Sequence, residues 1–352
     1  MNQISQISVT VITGFLGSGK TTLLSSILKK KEFQKTAVII NEFGEIGLDH
    51  ALIEHTDENI VELQSGCICC TIQGDLNKTL IDLFDKMING KISSFNRVLI
   101  ETTGLANPVP IIHTLMSSID LIRIYSLDGV ITVVDAVNGE KTIELQEESV
   151  KQIALAEKIL LSKTDIVDKN ETKSLIRRIK DINPVSEIIP CNFGNISFKE
   201  IFGLGAYDPY KKSEDVKAWL AAEKYNDKKD HYHHDINRHN DNIRAFSMMS
   251  EKPVNMITFS FFRDMISASL GADLLRMKGI INIEGEERPA VIHGVQHIFH
   301  PVQWLENWPD NDKRTKLVFI TRNIKKEQIE EFFHPLTNLD IEKGLPKEIF
   351  EL

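Results

Sequence analysis

Residues 14–21, Gly14-Phe15-Leu16-Gly17-Ser18-Gly19-Lys20-Thr21, constrain this chain more than any other stretch. They satisfy the phosphate-loop pattern GxxxxGK[ST], follow an apolar run (residues 7–12) and open onto a leucine-rich helical stretch (residues 21–28). A strand feeds a turn, and the turn feeds a helix. Gly14, Gly17 and Gly19 let the backbone curl so that its N–H groups point inward at phosphate oxygens, with Ser18 and Thr22 flanking the same curve. The helix N-terminus adds positive potential, Lys20 can reach the β/γ-phosphates, and the Thr21 hydroxyl can hold Mg²⁺. A Gly-rich turn in an ordinary βα unit would need neither Lys20 nor Thr21.

At 352 residues the chain has room for two domains of about 150 residues each. Its 42% apolar content supports sizeable cores. A net charge of −9 argues against a broad nucleic-acid or anionic-membrane footprint. The first residues lack the basic and apolar regions of a secretory signal, and no apolar stretch reaches the ~18 residues of a membrane span. Three of the four cysteines, Cys67, Cys69 and Cys70, fall within four residues; Cys191 stands apart. That spacing suits a metal or redox site in a reducing compartment better than a disulfide framework, so a cytoplasmic location is expected.

Up to about residue 203, apolar β-branched runs (7–12, 37–40, 98–100, 130–134 and 159–161) alternate with longer helical patterns, including 74–88, 146–156 and 169–182. Strands apolar on both faces and separated by helices predict an α/β fold with a mostly parallel sheet. Ligands in such folds bind at the carboxyl ends of strands. Every motif below follows one of these runs, so all should converge on one edge. The expected organisation is a phosphate-loop domain over 1–204, a polar His-containing linker over 205–250, and a smaller α+β domain over 251–352. Within the last, the patterns predict a strand at 254–260, a helix at 262–276, short strands at 279–284, 290–294 and 317–321, and a helix from Lys325.

Residues 41–49 (NEFGEIGLD) follow the second run, and two glycines with Glu42 and Glu45 suit a loop that senses phosphate or metal. Residues 65–70 (SGCICC) place three sulfurs within reach of one soft ion such as Zn²⁺ or Cu(I), leaving a tetrahedral shell one ligand short. Glu42, Glu45, a histidine, water or a client could supply that ligand. Redox chemistry and simple burial of small hydrophobes are the alternatives for these cysteines. Glu101 ends an apolar run with Gly104 three residues on, where a phosphate-loop NTPase places a Mg²⁺-associated carboxylate and a γ-phosphate-sensing glycine. Residues 162–165 (SKTD) resemble the [N/S/T]KxD base-reading element of GTPases. The Asp165 carboxylate can accept from the N1–H and N2–H₂ edge of guanine, which adenine lacks, and the Lys163 stem can cover the base. Ser162 replaces the usual Asn there, removing an amide. Cys191-Asn192-Phe193-Gly194 stands where a last base-contacting loop is expected. His231, His233 and His234, in the polar stretch, could capture a transition metal weakly. His293, His297 and His300 read as surface or core histidines.

With these motifs in this order, the chain resembles the CobW-type family of phosphate-loop GTPases, whose relatives include the urease and hydrogenase nickel-insertion GTPases. Residues 276–285, 294–304 and 316–320 resemble that family's C-terminal domain, with His293 where relatives often carry Gln. The resemblance implies hydrolysis of GTP to GDP, Mg²⁺ as cofactor, and a transferred metal, Zn²⁺ or Co²⁺, held by Cys67, Cys69 and Cys70 with Glu42 or Glu45. It implies delivery to a client metalloprotein or a cofactor-biosynthesis enzyme, and leaves a homodimer open. The competing expectations are an assembly factor for one metalloenzyme of nitrile hydratase type, acting by protein–protein contact, and a non-hydrolytic zinc buffer.

Overall fold

The computed structural model describes residues 6–42, 60–64, 71–204 and 243–337, with backbone alone at 41–42, 60–64, 71–75 and 334–337. The chain divides into two compact units, Met1–Asp208 and Pro209–Leu352.

In the first unit, strands β1 (Ile7–Thr13), β2 (Thr36–Glu42), β3 (Ile60–Gln64), β4 (Arg97–Thr102), β5 (Tyr125–Asp135), β6 (Lys158–Ser162) and β7 (Glu187–Pro190) form one sheet. Its order is β3-β2-β4-β1-β5-β6-β7, and every pairing is parallel. Helices α1 (Lys20–Leu28), α2 (Thr71–Ile88), α3 (Val109–Ser117), α4 (Ile119–Ile124), α5 (Gly139–Leu145), α6 (Glu147–Leu155), α7 (Lys169–Ile182) and α8 (Phe198–Ile201) lie between and after the strands. Parallel strands need such crossovers, and helices on both faces explain why the strands are apolar throughout. Val9, Val11 and Ile12 of β1 are fully buried, as are Val98, Leu99 and Ile100 of β4. Leu23, Leu24 and Ile27 give α1 a buried stripe, which packs with Ile12, Leu99 and Ile131 in one apolar cluster. The chain leaves β1 toward β2 and β3, returns through β4, and crosses to β5, β6 and β7. That reversal places a crevice at the carboxyl end of β1.

The second unit is an antiparallel sheet of β8 (Ile243–Ser250), β9 (Leu274–Ile281), β10 (Ala290–Val295), β11 (Ile298–Phe299), β12 (Gln303–Trp304) and β13 (Thr315–Arg322). Its order is β11-β10-β9-β13-β8, with β12 also pairing β10. Helices α9 (Met256–Leu270) and α10 (Lys326–Thr337) share its core, with Phe259, Phe262 and Ile266 meeting Phe246, Leu317, Phe319 and Phe333.

Three expectations for this unit need correction. The strand expected at 254–260 is the start of α9, capped by the Asn255 side chain, which accepts from the Ile257 N–H. The helix expected at 262–276 ends at Leu270, and Arg276 lies in β9. The strand that completes the sheet is β8, at residues assigned from sequence to the linker. In the first unit, β3, α3, α4 and α5 were not anticipated, and β5 is longer than the run at 130–134.

Candidate nucleotide site

The phosphate-loop residues lie between the carboxyl end of β1 and the first turn of α1. Gly14 has φ +145°, and a Cβ there would stand 2.3 Å from the Val133 carbonyl oxygen of β5. No side chain fits. Gly19, the residue before α1, is left-handed at φ +97°, a conformation open chiefly to glycine. Gly17, at φ +74°, shares this curvature. Lys20 is buried, and its Nζ donates to the carbonyls of Gly14 (2.8 Å) and Phe15 (3.3 Å), so its charge spans the loop. Ser18 is buried, Thr21 is half-buried one residue into α1, and Thr22 is exposed. The N–H groups at the start of α1 and the Lys20 ammonium together favour an anion.

Beside the loop, β4 is in register with β1, pairing Glu101 with Ile12. Glu101 is buried at this strand end. The next residue, Thr102, donates its hydroxyl to Thr13 Oγ1 at 2.8 Å, tying the two carboxyl ends. Gly104 then passes directly over the phosphate loop: a Cβ there would be 2.6 Å from both the Leu16 N and its Cδ2. The structure therefore brings Glu101 and Gly104 together with Lys20 and Thr21.

Residues 162–165, expected from sequence to read the base, close the other side of the loop. Ser162, ending β6, donates its hydroxyl to the Ser18 carbonyl at 2.7 Å. Lys163 has φ +57°, unusual for a side-chain-bearing residue, and donates to the Gly17 carbonyl (2.9 Å) and to Asp135 Oδ2 (2.7 Å). Asp165 is exposed. Asn192 Oδ1 accepts from the Thr164 N–H (2.9 Å), joining this element to the loop after β7. That loop is pinned in turn by Ser26 of α1, which donates to the Gly194 carbonyl at 2.9 Å. Burial acts to raise the pKa of Asp135, but donors from Lys163, Asn138 and the Val137 N–H, with the Lys163 charge, outweigh it. Its carboxyl is held below the ordinary range, ionised beside the lysine it anchors.

Sequence reasoning missed three of these groups. Asp135 directly follows an apolar run, which was the available signal. Gln152, whose Nε2 donates to the carbonyls of Gly104 and Ala106, carried none: it is a fully buried glutamine inside a helix. Thr102 lies between two residues that were singled out, yet its bond to Thr13 depends on strand pairing. Among the cysteines, Cys191 is buried in the apolar cluster of the first unit. Burial, with the nearby Glu200 carboxylate, pushes its thiol pKa up, which keeps it a packing group.

Of the expected metal ligands, Cys67, Cys69, Cys70, Glu45, His231, His233 and His234 lie outside the described residues. Glu42 is described by its backbone. It ends β2 and pairs in register with Gln64, the last residue of β3, while Asn41 pairs with Thr102 of β4. The cysteine segment therefore follows a strand whose carboxyl end is one strand from Glu42 and two from Glu101. Among the described residues no group of three or more His, Cys, Asp and Glu side chains is placed to hold a metal. His293 is buried in β10. Among the described residues no helix is long and apolar enough to cross a membrane.

This fold and loop geometry define a phosphate-loop nucleotide-binding protein. Residues 8–190 match the CobW/HypB/UreG nucleotide-binding domain, and residues 243–336 match the cobalamin synthesis protein CobW C-terminal domain. The chain belongs to this CobW family. It is 34% identical over 330 residues to the zinc chaperone YjiA of Escherichia coli (strain K12), covering 94% of this chain and 98% of that one. It is 36% identical over 213 residues to zinc-regulated GTPase metalloprotein activator 1 of Schizosaccharomyces pombe, covering 58% of this chain and 50% of that protein. The structure of Zn(II)-bound YjiA GTPase from E. coli matches with a TM-score of 0.73 at 29% identity, over 95% of this chain and 99% of the other.

Proposed function

We propose that this protein is a GTPase metallochaperone: it hydrolyses GTP to GDP and phosphate, and couples that cycle to holding and releasing Zn²⁺. The observation that carries this reading is the convergence at one sheet edge. The phosphate loop is bonded to the base-reading element through Ser162 and Lys163, Gly104 lies against Leu16, and the strand leading to the cysteines ends in the same row. Relatives named zinc chaperone and zinc-regulated GTPase support the choice of nucleotide and metal.

In this reading the curled backbone of residues 14–19, with Lys20 and Thr22, binds the phosphates. Lys163 covers the base, and Asp165 accepts from the guanine edge. The donor set fits a hard cation, since the Thr21 hydroxyl and the Glu101 carboxylate are both oxygen ligands at the loop. Bound Mg²⁺ would neutralise charge on the phosphate oxygens. Glu101 orients the attacking water, and the Gly104 N–H reports the γ-phosphate. Cys67, Cys69 and Cys70 hold the cargo Zn²⁺ (or Co²⁺), with Glu42 or Glu45 completing the shell. The domain organisation proposed is a GTP-binding unit over 1–204, a connecting stretch over 205–242 instead of the expected 205–250, and a C-terminal unit that begins with β8. We assign His231, His233 and His234 only weak auxiliary binding. The client is a metalloprotein or a cofactor-biosynthesis enzyme, met in the cytoplasm.

The test is hydrolysis of GTP and ATP with and without Mg²⁺, beside Zn²⁺ titration of the parent and of a Cys67/Cys69/Cys70→Ala variant. The reading expects Mg²⁺-dependent turnover of GTP alone, and loss of tight Zn²⁺ binding in the variant. Equal turnover of ATP, or unchanged Zn²⁺ affinity, would refute it.

A further inference from the structure

We propose that Gln152 is a positioning residue for hydrolysis, holding the Gly104 turn at the height of the phosphate loop. It rests on the reading that Gly104 senses the γ-phosphate. Gln152 lies in α6, fully buried, and its Nε2 donates to the carbonyls of Gly104 (3.1 Å) and Ala106 (3.0 Å). Both partners are acceptors, so the amide can face them only with its NH₂ group, and its orientation is fixed by chemistry. Its backbone is held as well: Thr132 of β5 donates its hydroxyl to the Gln152 carbonyl at 2.7 Å. The turn that carries Gly104 is thus bonded to a helix rooted in the central sheet.

Two buried polar atoms extend this connection. Gln152 Oε1 and Ser18 Oγ are buried without a hydrogen-bond partner among the described residues. Ser18 and Gln152 line the same small cavity, together with Phe15, Leu16 and Ser149. A buried polar atom without a partner is costly, and two such atoms on residues that line one cavity mark a place for one bridging water. Accepting from the Ser18 hydroxyl and donating to Gln152 Oε1, such a water would complete a polar path from the phosphate loop to Gly104. A core glutamine needed only for packing would not require its two donors on the one turn that crosses the loop. Gly104 itself has no side chain and no room for one, so its height is set through the backbone: it rests on Leu16, the Ala106 N–H donates to the Thr103 carbonyl at 3.1 Å, and the Gln152 amide binds the carbonyls of Gly104 and Ala106 from the other side.

GDP lacks the γ-phosphate, so a residue acting through Gly104 distinguishes GTP from GDP, whereas a general core defect does not. Gln152→Glu keeps the shape but cannot donate when ionised; Gln152→Leu removes both polar atoms. In the full chain we would measure kcat and KM for GTP, and Kd for GDP and for a non-hydrolysable GTP analogue. Both variants should lose about tenfold or more in kcat and bind the analogue several-fold more weakly, while GDP affinity stays within about twofold of the parent. If kcat stays within about twofold, or if GDP and analogue affinity fall together, the proposal is overturned. A variant that no longer binds GDP counts among these failures, because a positioning role leaves the GDP site intact. Failure of the parent to hydrolyse GTP would instead refute the function proposed above.

Discussion

Lys163 does two things with one ammonium group: it bonds the phosphate loop at Gly17 and it pairs with Asp135. Its left-handed backbone costs on the order of 1–2 kcal/mol, so the surrounding contacts must hold it there. Asp135→Asn removes the charge that anchors the amine. GDP and GTP affinity should then fall together, by about tenfold, in calorimetric titration. The pH dependence follows from the depressed Asp135 carboxyl. A group whose folded pKa is lowered stabilises above its unfolded value, near 3.9, and loses that contribution as pH falls through the lower folded pKa. Nucleotide affinity should therefore be flat between pH 7 and 5 as far as this pair is concerned, and drop only below about 4. Asp165→Asn exchanges an acceptor for a donor at the guanine edge. GTP affinity should fall roughly 10²-fold or more, with gain of binding to xanthosine triphosphate, whose C2 carbonyl accepts where guanine donates. Lys163 was legible in the sequence as a residue beside the phosphate loop because a short motif singles it out together with Asp165. Asp135 was not, because its role depends on β5 and β6 lying side by side.

At the scale of elements, the parallel strands were legible because burial on both faces leaves unbroken apolar runs. The second unit misled for a physical reason. Residues 254–260 (VNMITFS) are rich in residues that strands favour, yet Thr258, Phe259, Phe262 and Ile266 form one helical stripe and Asn255 caps its start. In β8 only Phe246 and Met248 are buried, too weak an alternation to stand out beside a charged stretch. The stripe gives a stability prediction. Phe262 is 1% exposed, with its ring 5.2 Å from that of Phe333 and 6.0 Å from that of Phe259. Phe262→Ala should cost about 3–5 kcal/mol of unfolding free energy, read as a lowered denaturant midpoint. A loss below about 1 kcal/mol would mean that α9 does not depend on this packing.

Across the whole molecule, the sequence order of motifs predicts one functional edge, and the strand order places the phosphate loop, Glu101 and residues 162–165 along it, with the cysteine segment outside the described residues. Since β4 lies between β1 and β2, the acidic strand end is beside the phosphate loop on one side and beside β2, then β3, on the other. The phosphate loop and β3, the strand that precedes the cysteine segment in sequence, therefore end in the same row, an arrangement that the proposed coupling requires. Linkage then demands reciprocity: if GTP changes Zn²⁺ affinity by some factor, Zn²⁺ changes GTP affinity by the same factor. The most direct test is the Zn²⁺ dissociation constant of the full chain with a non-hydrolysable GTP analogue, with GDP, and without nucleotide. The account predicts a difference of about fivefold or more between the analogue and GDP states, matched by an equal effect of Zn²⁺ on analogue binding. The same Zn²⁺ affinity in all three states would contradict it.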